Sequence, residues 1–165
     1  MALDIVLGIV VLGLLIYRQV SPRRVSATAL RMTLILGIIG IIQVTNFLSS
    51  DHHSTAVFAA LAGSLVLAAG FGAARAATVR LWLRDGEAWT QGTVATALLW
   101  VLALGAHLGY DALVSHGQGE SGLGTASIVL YLAVSLAVQR LIVQHRAGRL
   151  LAGSAAAPGV RSAVR

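Results

Sequence analysis

The sequence predicts an all-α, polytopic helical membrane protein with five transmembrane helices, and three observations lead there. Hydrophobic residues make up 57% of the chain and charged residues 11%, against roughly 25% charged in an ordinary soluble domain. Apolar runs of about 20 residues recur, the length that crosses a hydrocarbon layer about 30 Å thick. All 12 basic residues are Arg, and they fall only in alternate connections between those runs. With a mean hydropathy of +0.83, the chain has too few polar side chains to coat a globule in water. Lipid is the solvent it fits.

The first apolar run covers residues 2–20. It has no basic leading region and no small-residue cleavage site before "YRQVSPRR", so it reads as a retained span and not as a signal peptide. Asp4 suits the exposed amides of a helix N-terminus, and Pro22 marks the stop. The second span, 27–48, is entered through Ser26 as an N-cap. After the polar turn "SSDHHST" the third span runs over 56–77, with its helix expected to continue to Arg84. Asp85-Gly86 is a turn signal. The fourth span covers 90–113, the Gly-rich "SHGQGESGLG" follows, and the fifth covers 125–143. Residues 1–146 thus form a five-span domain. The segment "QRLIVQHRAGRLL" looks amphipathic and basic, suited to the surface of the inner leaflet. Residues 147–165 read as a disordered basic tail.

Orientation follows from the Arg residues. Arg18, Arg23, Arg24 and Arg31 lie in the first connection, Arg75, Arg80 and Arg84 in the third. Arg140, Arg146, Arg149, Arg161 and Arg165 gather towards the C-terminus, and the remaining connections hold none. Cytoplasmic loops are enriched in Arg, so the N-terminus is expected outside and the C-terminus inside. Topology accounts for the net charge of +6 better than phosphate binding does, and no nucleic-acid partner is expected. Arg in place of Lys, with abundant Ala, Gly and Val, suggests a GC-rich bacterial genome and a multi-pass protein of the cytoplasmic membrane.

The chain has no Cys, which removes disulfides, dithiol redox chemistry and thiolate metal ligation. Small residues mark expected helix contacts: Gly37 and Gly40, then Ala62, Ala69, Gly70, Ala73 and Ala74, and a GxxxG at Gly105 and Gly109. The GxxxG is read as packing within the bundle, with homodimerisation as the alternative.

In "ALGAHLGYDAL" His107 and Asp111 interrupt an apolar helix one turn apart, which places them on one face. Asp51, His52, His53, His116 and Glu120 are predicted on the same outer side. Imidazoles and carboxylates gathered there suit a divalent metal ion or a proton relay. The plainer reading is that outer loops need polar residues and Arg is excluded from them. Gln43 and Asn46 are expected to hydrogen-bond a neighbouring helix. Arg75 and Arg140 are expected to snorkel to the headgroups, and Trp82 and Trp89 to sit in an interfacial belt. There is no nucleophile–base spacing, P-loop or Rossmann glycine pattern, so neither catalysis nor a cofactor is expected.

The run "ARAATVRLWLRDGEAWTQGTVATALLWVLALGAHLGYD", with the earlier "IYRQ" and a basic first loop, resembles the CcdC-like family of small bacterial membrane proteins, which carry a domain of unknown function. The resemblance covers most of the chain to about residue 145. It singles out Arg84, Asp85, Gly86, Trp89, Gln91 and Gly92 as family-typical turn positions and assigns chemistry to none. It implies a loose link with cytochrome c maturation, and without Cys the role would be accessory and not thiol transfer. The expectation is a non-enzymatic accessory or assembly component that contacts lipid and a membrane-protein partner or a second copy. The alternative is a small transporter or sensor for protons or a divalent metal.

Overall fold

The computed structural model describes residues 13, 17, 21–25, 29–50, 55–118 and 123–156. In chain order the elements are β1 (Arg23–Arg24), α1 (Ala29–Ser50), α2 (Thr55–Thr78), β2 (Arg80–Arg84), β3 (Glu87–Gln91), α3 (Val94–Gln118) and α4 (Leu123–Ala156). Among the described residues, four helices are long and apolar enough to cross a membrane. They match the second to fifth predicted spans. The first, 2–20, lies outside the described residues except for Gly13 and Tyr17, which are both helical.

Two apolar clusters mark the ends of the bundle. Val57, Ala60 and Leu123 pack with Phe47, Leu48, Tyr110 and Val114 at one end. Ala76, Val79 and Val143 pack with Val25, Leu81 and Ile142 at the other. The helices therefore alternate in direction, and the sheet belongs to the second end. α4 is the central element, packed most extensively against α2 and α1. Its buried residues Ser127, Tyr131, Ser135, Gln139, Val143 and Ala147 recur every fourth position. Ala60, Ser64, Ala68, Gly72 and Ala76 form the matching buried row on α2. Side chains four apart form a continuous ridge along a helix, and small residues in that ridge let two backbones approach. A Cβ on Gly72 would strike the carbonyl of Ser135, and one on Gly40 would come within 2.6 Å of the Leu130 backbone.

The packing glycines differ from the prediction. Gly105 and Gly109 meet nothing within 4 Å of a built Cβ, as do Gly37 and Gly70. Both GxxxG residues are exposed on α3, so this motif does not pack within the bundle. The predicted Ala62, Ala69, Ala73 and Ala74 fall beside the buried ridge of α2, not on it.

The fold is not purely α, which corrects the predicted class. α2 stops at Thr78, and residues expected to prolong the helix to Arg84 form β2. β3 pairs antiparallel with both β2 and β1, in the order β1-β3-β2. The cause is local. "RLWLR" and "EAWTQ" alternate side-chain character and flank Asp-Gly, the strongest short hairpin signal. Asp85 and Gly86 both adopt positive φ, 54° and 74°, as a two-residue hairpin turn with the twist of the sheet requires.

Helix bounds move accordingly. α3 begins at Val94 and not near residue 90, because Thr93 and Thr96 form a reciprocal cap. Thr96 N donates to Thr93 Oγ1 at 3.3 Å, and Thr93 N donates to Thr96 Oγ1 at 3.0 Å, the pattern that satisfies two otherwise orphaned amides. At the other extreme α4 runs through Ala156, 34 residues in all and about 50 Å at 1.5 Å per residue. The segment expected to be a disordered tail from residue 147 is thus helical up to there; 157–165 lie outside the described residues.

Candidate functional site

Buried polar residues lie on all four helices, Thr33 on α1 and the others on α2, α3 and α4, and His107 sits at the far end from the sheet. Its side chain is 2% exposed. Nε2 lies 3.2 Å from the carbonyl oxygen of Gly124 and Nδ1 lies 3.3 Å from Ser64 Oγ. A ring protonated at Nε2 donates to that carbonyl and accepts the Ser64 hydroxyl proton at Nδ1, which satisfies both nitrogens. The ring also packs on Tyr131, centroids 4.4 Å apart. The Tyr131 hydroxyl donates to the carbonyl of Ala103 at 3.0 Å.

Asp111, one turn further along α3, accepts the Gly124 amide at 2.7 Å through Oδ1. Gly124 is the second residue of α4, so this amide is one of the N-terminal donors with no partner inside the helix. A carboxylate there both caps it and faces the positive end of the helix dipole. His107 and Asp111 therefore grip the two backbone polar groups of a single residue. Ser127 Oγ donates to the same Gly124 carbonyl at 3.4 Å. A Cβ at position 124 would collide with the Asp111 carboxylate. Beside this clamp lies a cavity of about 10 Å³ lined by Ser64, His107, Tyr110, Asp111 and Ser127 among others, room for about one water molecule. Tyr110 lines it and donates its hydroxyl to the Ala60 carbonyl at 3.0 Å.

Of the residues predicted to gather on this side, His52, His53, Asp51 and Glu120 lie outside the described residues, and His116 lies on α3. Among the described residues no three His, Asp or Glu side chains come together as a metal site would need. Gln43 and Asn46, expected to hydrogen-bond a neighbouring helix, are exposed on α1.

Arg75 departs furthest from its prediction. It does not snorkel; it is fully buried, in the last turn of α2. Nη2 donates to Ser135 Oγ, and the Trp100 ring lies 3.9 Å from the guanidinium carbon. Such a cation–π contact supplies about 2 kcal/mol when desolvated, while an uncompensated buried ion costs several kcal/mol. The sequence carries a signal for this burial. Ser127, Tyr131, Ser135 and Gln139 recur every fourth residue on α4, a polar ridge pointing inward. Arg75 sits three residues beyond Gly72, beside the facing ridge.

The sheet end forms the second feature. Cross-strand partners share a face, so Arg24, Arg80, Trp82, Arg84, Glu87, Trp89 and Gln91 lie together. Leu81, on the opposite face, packs against Ala76, Val79 and Val143. Arg24 and Arg84 stand over the Trp89 ring at 5.5 and 5.8 Å. Arg24 also pairs with Glu87 at 3.0 Å, an exposed bridge of small energetic weight. All six family-typical positions fall in this hairpin or at its exit: Arg84 ends β2, Asp85 and Gly86 turn, Trp89 and Gln91 belong to β3, and Gly92 is buried beyond it.

Fold and site define a class: a helical bundle with four helices long and apolar enough to cross a membrane, closed at one end by a three-stranded sheet. No family model, curated protein or solved structure matches the chain.

Proposed function

We propose that this protein is a multi-pass component of the bacterial cytoplasmic membrane, of the CcdC-like kind, and acts as a non-enzymatic accessory or assembly factor. Residues 2–20 supply a fifth span, the N-terminus is outside, and the sheet and the C-terminus are cytoplasmic. One observation carries this reading. Pairing of β1 with β3 folds the connection before α1 and the hairpin after α2 into one Arg- and Trp-bearing surface beside the spans. Positive charge next to membrane helices marks the cytoplasmic side, and a rigid strand platform suits recognition better than a loose loop. The interior polar groups at His107 hold α4 in place, as their hydrogen bonds to Gly124 indicate.

The test is recovery of partners from native membranes with wild type and with Arg80→Glu/Arg84→Glu, at matched membrane levels. The reading expects a protein recovered with wild type to be lost with the double variant. An identical set of recovered proteins contradicts it. The cavity between Ser64, His107, Asp111 and Ser127 favours a second reading, handling of protons or a divalent metal. Saturable Zn²⁺ binding by wild type that His107→Ala abolishes would put this second reading ahead.

A further inference from the structure

β2 is an edge strand of the sheet, whose order is β1-β3-β2. Its register settles which backbone groups look outward. Arg84 and Glu87 flank the two-residue turn and are cross-strand partners, so they form the hydrogen-bonded pair that closes the hairpin. Such pairs alternate along an antiparallel ladder. Trp82 and Arg80 therefore bond to β3, while Leu81 and Leu83 aim their N–H and C=O groups at the outer edge. β3 obeys the same alternation: Ala88, the partner of Leu83, turns away from β2 and accepts from Val25 N at 2.9 Å. α4 packs against β2 and β3 alike, as a helix crossing beneath the Leu81 face does, and not along the edge. Arg80, Leu83 and Arg84 are exposed.

An edge of this kind is a template for a further strand, and its side chains state what that strand carries. Arg80, Trp82 and Arg84 stand at alternate positions on the face turned away from Leu81. Residues directly opposite them in an added strand have Cβ atoms about 4.5–5.5 Å away. A second copy fits poorly. Antiparallel pairing about Trp82 sets Arg80 of one chain against Arg84 of the other, and like charges directly opposite are destabilising. The nearby carboxylates do not neutralise the edge: Glu87 pairs with Arg24, and Asp85 meets Arg84 at 3.6 Å in an exposed pair of small weight. We infer that β2 takes an extended acidic segment of a partner protein as a fourth strand. The segment places carboxylates opposite Arg80 and Arg84 and an apolar or aromatic residue opposite Trp82. Its intervening residues exchange backbone hydrogen bonds with Leu81 and Leu83. This inference rests on the partner reading above and gives that partner its chemistry.

Fluorescein-labelled peptides GEVYVEG and GKVYVKG are titrated with the full-length protein in detergent and followed by anisotropy. The acidic peptide should bind saturably and the basic one should not. Arg80→Glu/Arg84→Glu should reverse the preference, by about tenfold in each direction. Leu83→Pro removes only an outward N–H, a change that edge strands tolerate, and should weaken binding of the acidic peptide without moving the unfolding midpoint. Methylating both valine amide nitrogens should abolish binding to the wild type, which tests the same bonds without altering the protein. Binding indifferent to both changes overturns the inference, as does equal binding of a peptide copying the chain's own RLWLR. Displacement of the acidic peptide by short-chain phosphatidylglycerol, with no effect of N-methylation, overturns it in favour of lipid. In native membranes, a partner lost with Arg80→Glu/Arg84→Glu but kept with Leu83→Pro overturns strand addition and leaves the partner reading standing. A partner kept with both variants removes the two together.

Discussion

Gly124 is held through both of its backbone polar groups. Its amide is held by Asp111 and its carbonyl by His107 and Ser127. Asp111→Ala removes a helix cap and should cost about 1 kcal/mol, read as a lower midpoint in denaturant unfolding in detergent. Gly124→Ala drives a methyl into the Asp111 carboxylate and should destabilise comparably or more. The double variant should be less damaged than the sum of the two, because removing the carboxylate makes room for the methyl; residues in contact couple in this way. Strict additivity would show that Asp111 and Gly124 do not meet. The i,i+4 spacing of His107 and Asp111 was legible in the sequence. Their target was not, because it lies 13 residues beyond Asp111 across a Gly-rich connection, and chain proximity says nothing about where such a connection returns. Arg75 was misread for a related reason. Its place near a span end favours snorkelling for an isolated helix, and only the facing Trp100 and Ser135 make the inward rotamer tolerable.

Among the elements, the hairpin and the ridge between α2 and α4 make separate demands on glycine. Gly86 holds a φ of 74° in the turn, where a β-branched side chain is strongly disfavoured. Gly86→Val should lower the unfolding free energy by about 1 kcal/mol or more, whereas Asp85→Asn keeps a residue that tolerates positive φ and should leave it unchanged. On the ridge, Gly72→Leu has no room against Ser135 and should abolish the folded, monodisperse species on size exclusion. Gly105→Leu and Gly109→Leu face open space and should shift stability by no more than about 0.5 kcal/mol. Loss of a crosslinked dimer in those two variants would assign the exposed GxxxG to a second copy. Four spans were readable to within a few residues because lipid demands long apolar runs. The sheet was not read, although Asp-Gly between alternating strands announced the hairpin. The assumption that a membrane chain is helical throughout outweighed the local signal. The pairing of β1 with β3 had no local signal, since 63 positions separate Arg24 from the Glu87 it bonds.

At the scale of the whole molecule, one arrangement accounts for both the apolar surface and the polar interior. Residues such as Leu34, Ile38, Ile42, Val66, Leu98 and Leu102 are exposed, while Ser64, Arg75, Thr96, His107, Ser127 and Ser135 are buried. Surface apolarity on this scale is a liability in water and is the expected state in a bilayer. The sheet joins Arg23 and Arg24 to the hairpin, so in the membrane arrangement proposed above the connections before α1 and after α2 share one side. Alternation then sends the α3–α4 connection to the other side. The chain has no Cys, so any introduced thiol is its only one, and labelling with a membrane-impermeant maleimide reads this arrangement directly. In intact cells Gly119→Cys should be modified and Glu87→Cys should react only after the membrane is permeabilised. Modification of Glu87→Cys in intact cells, with Gly119→Cys protected, would contradict the account.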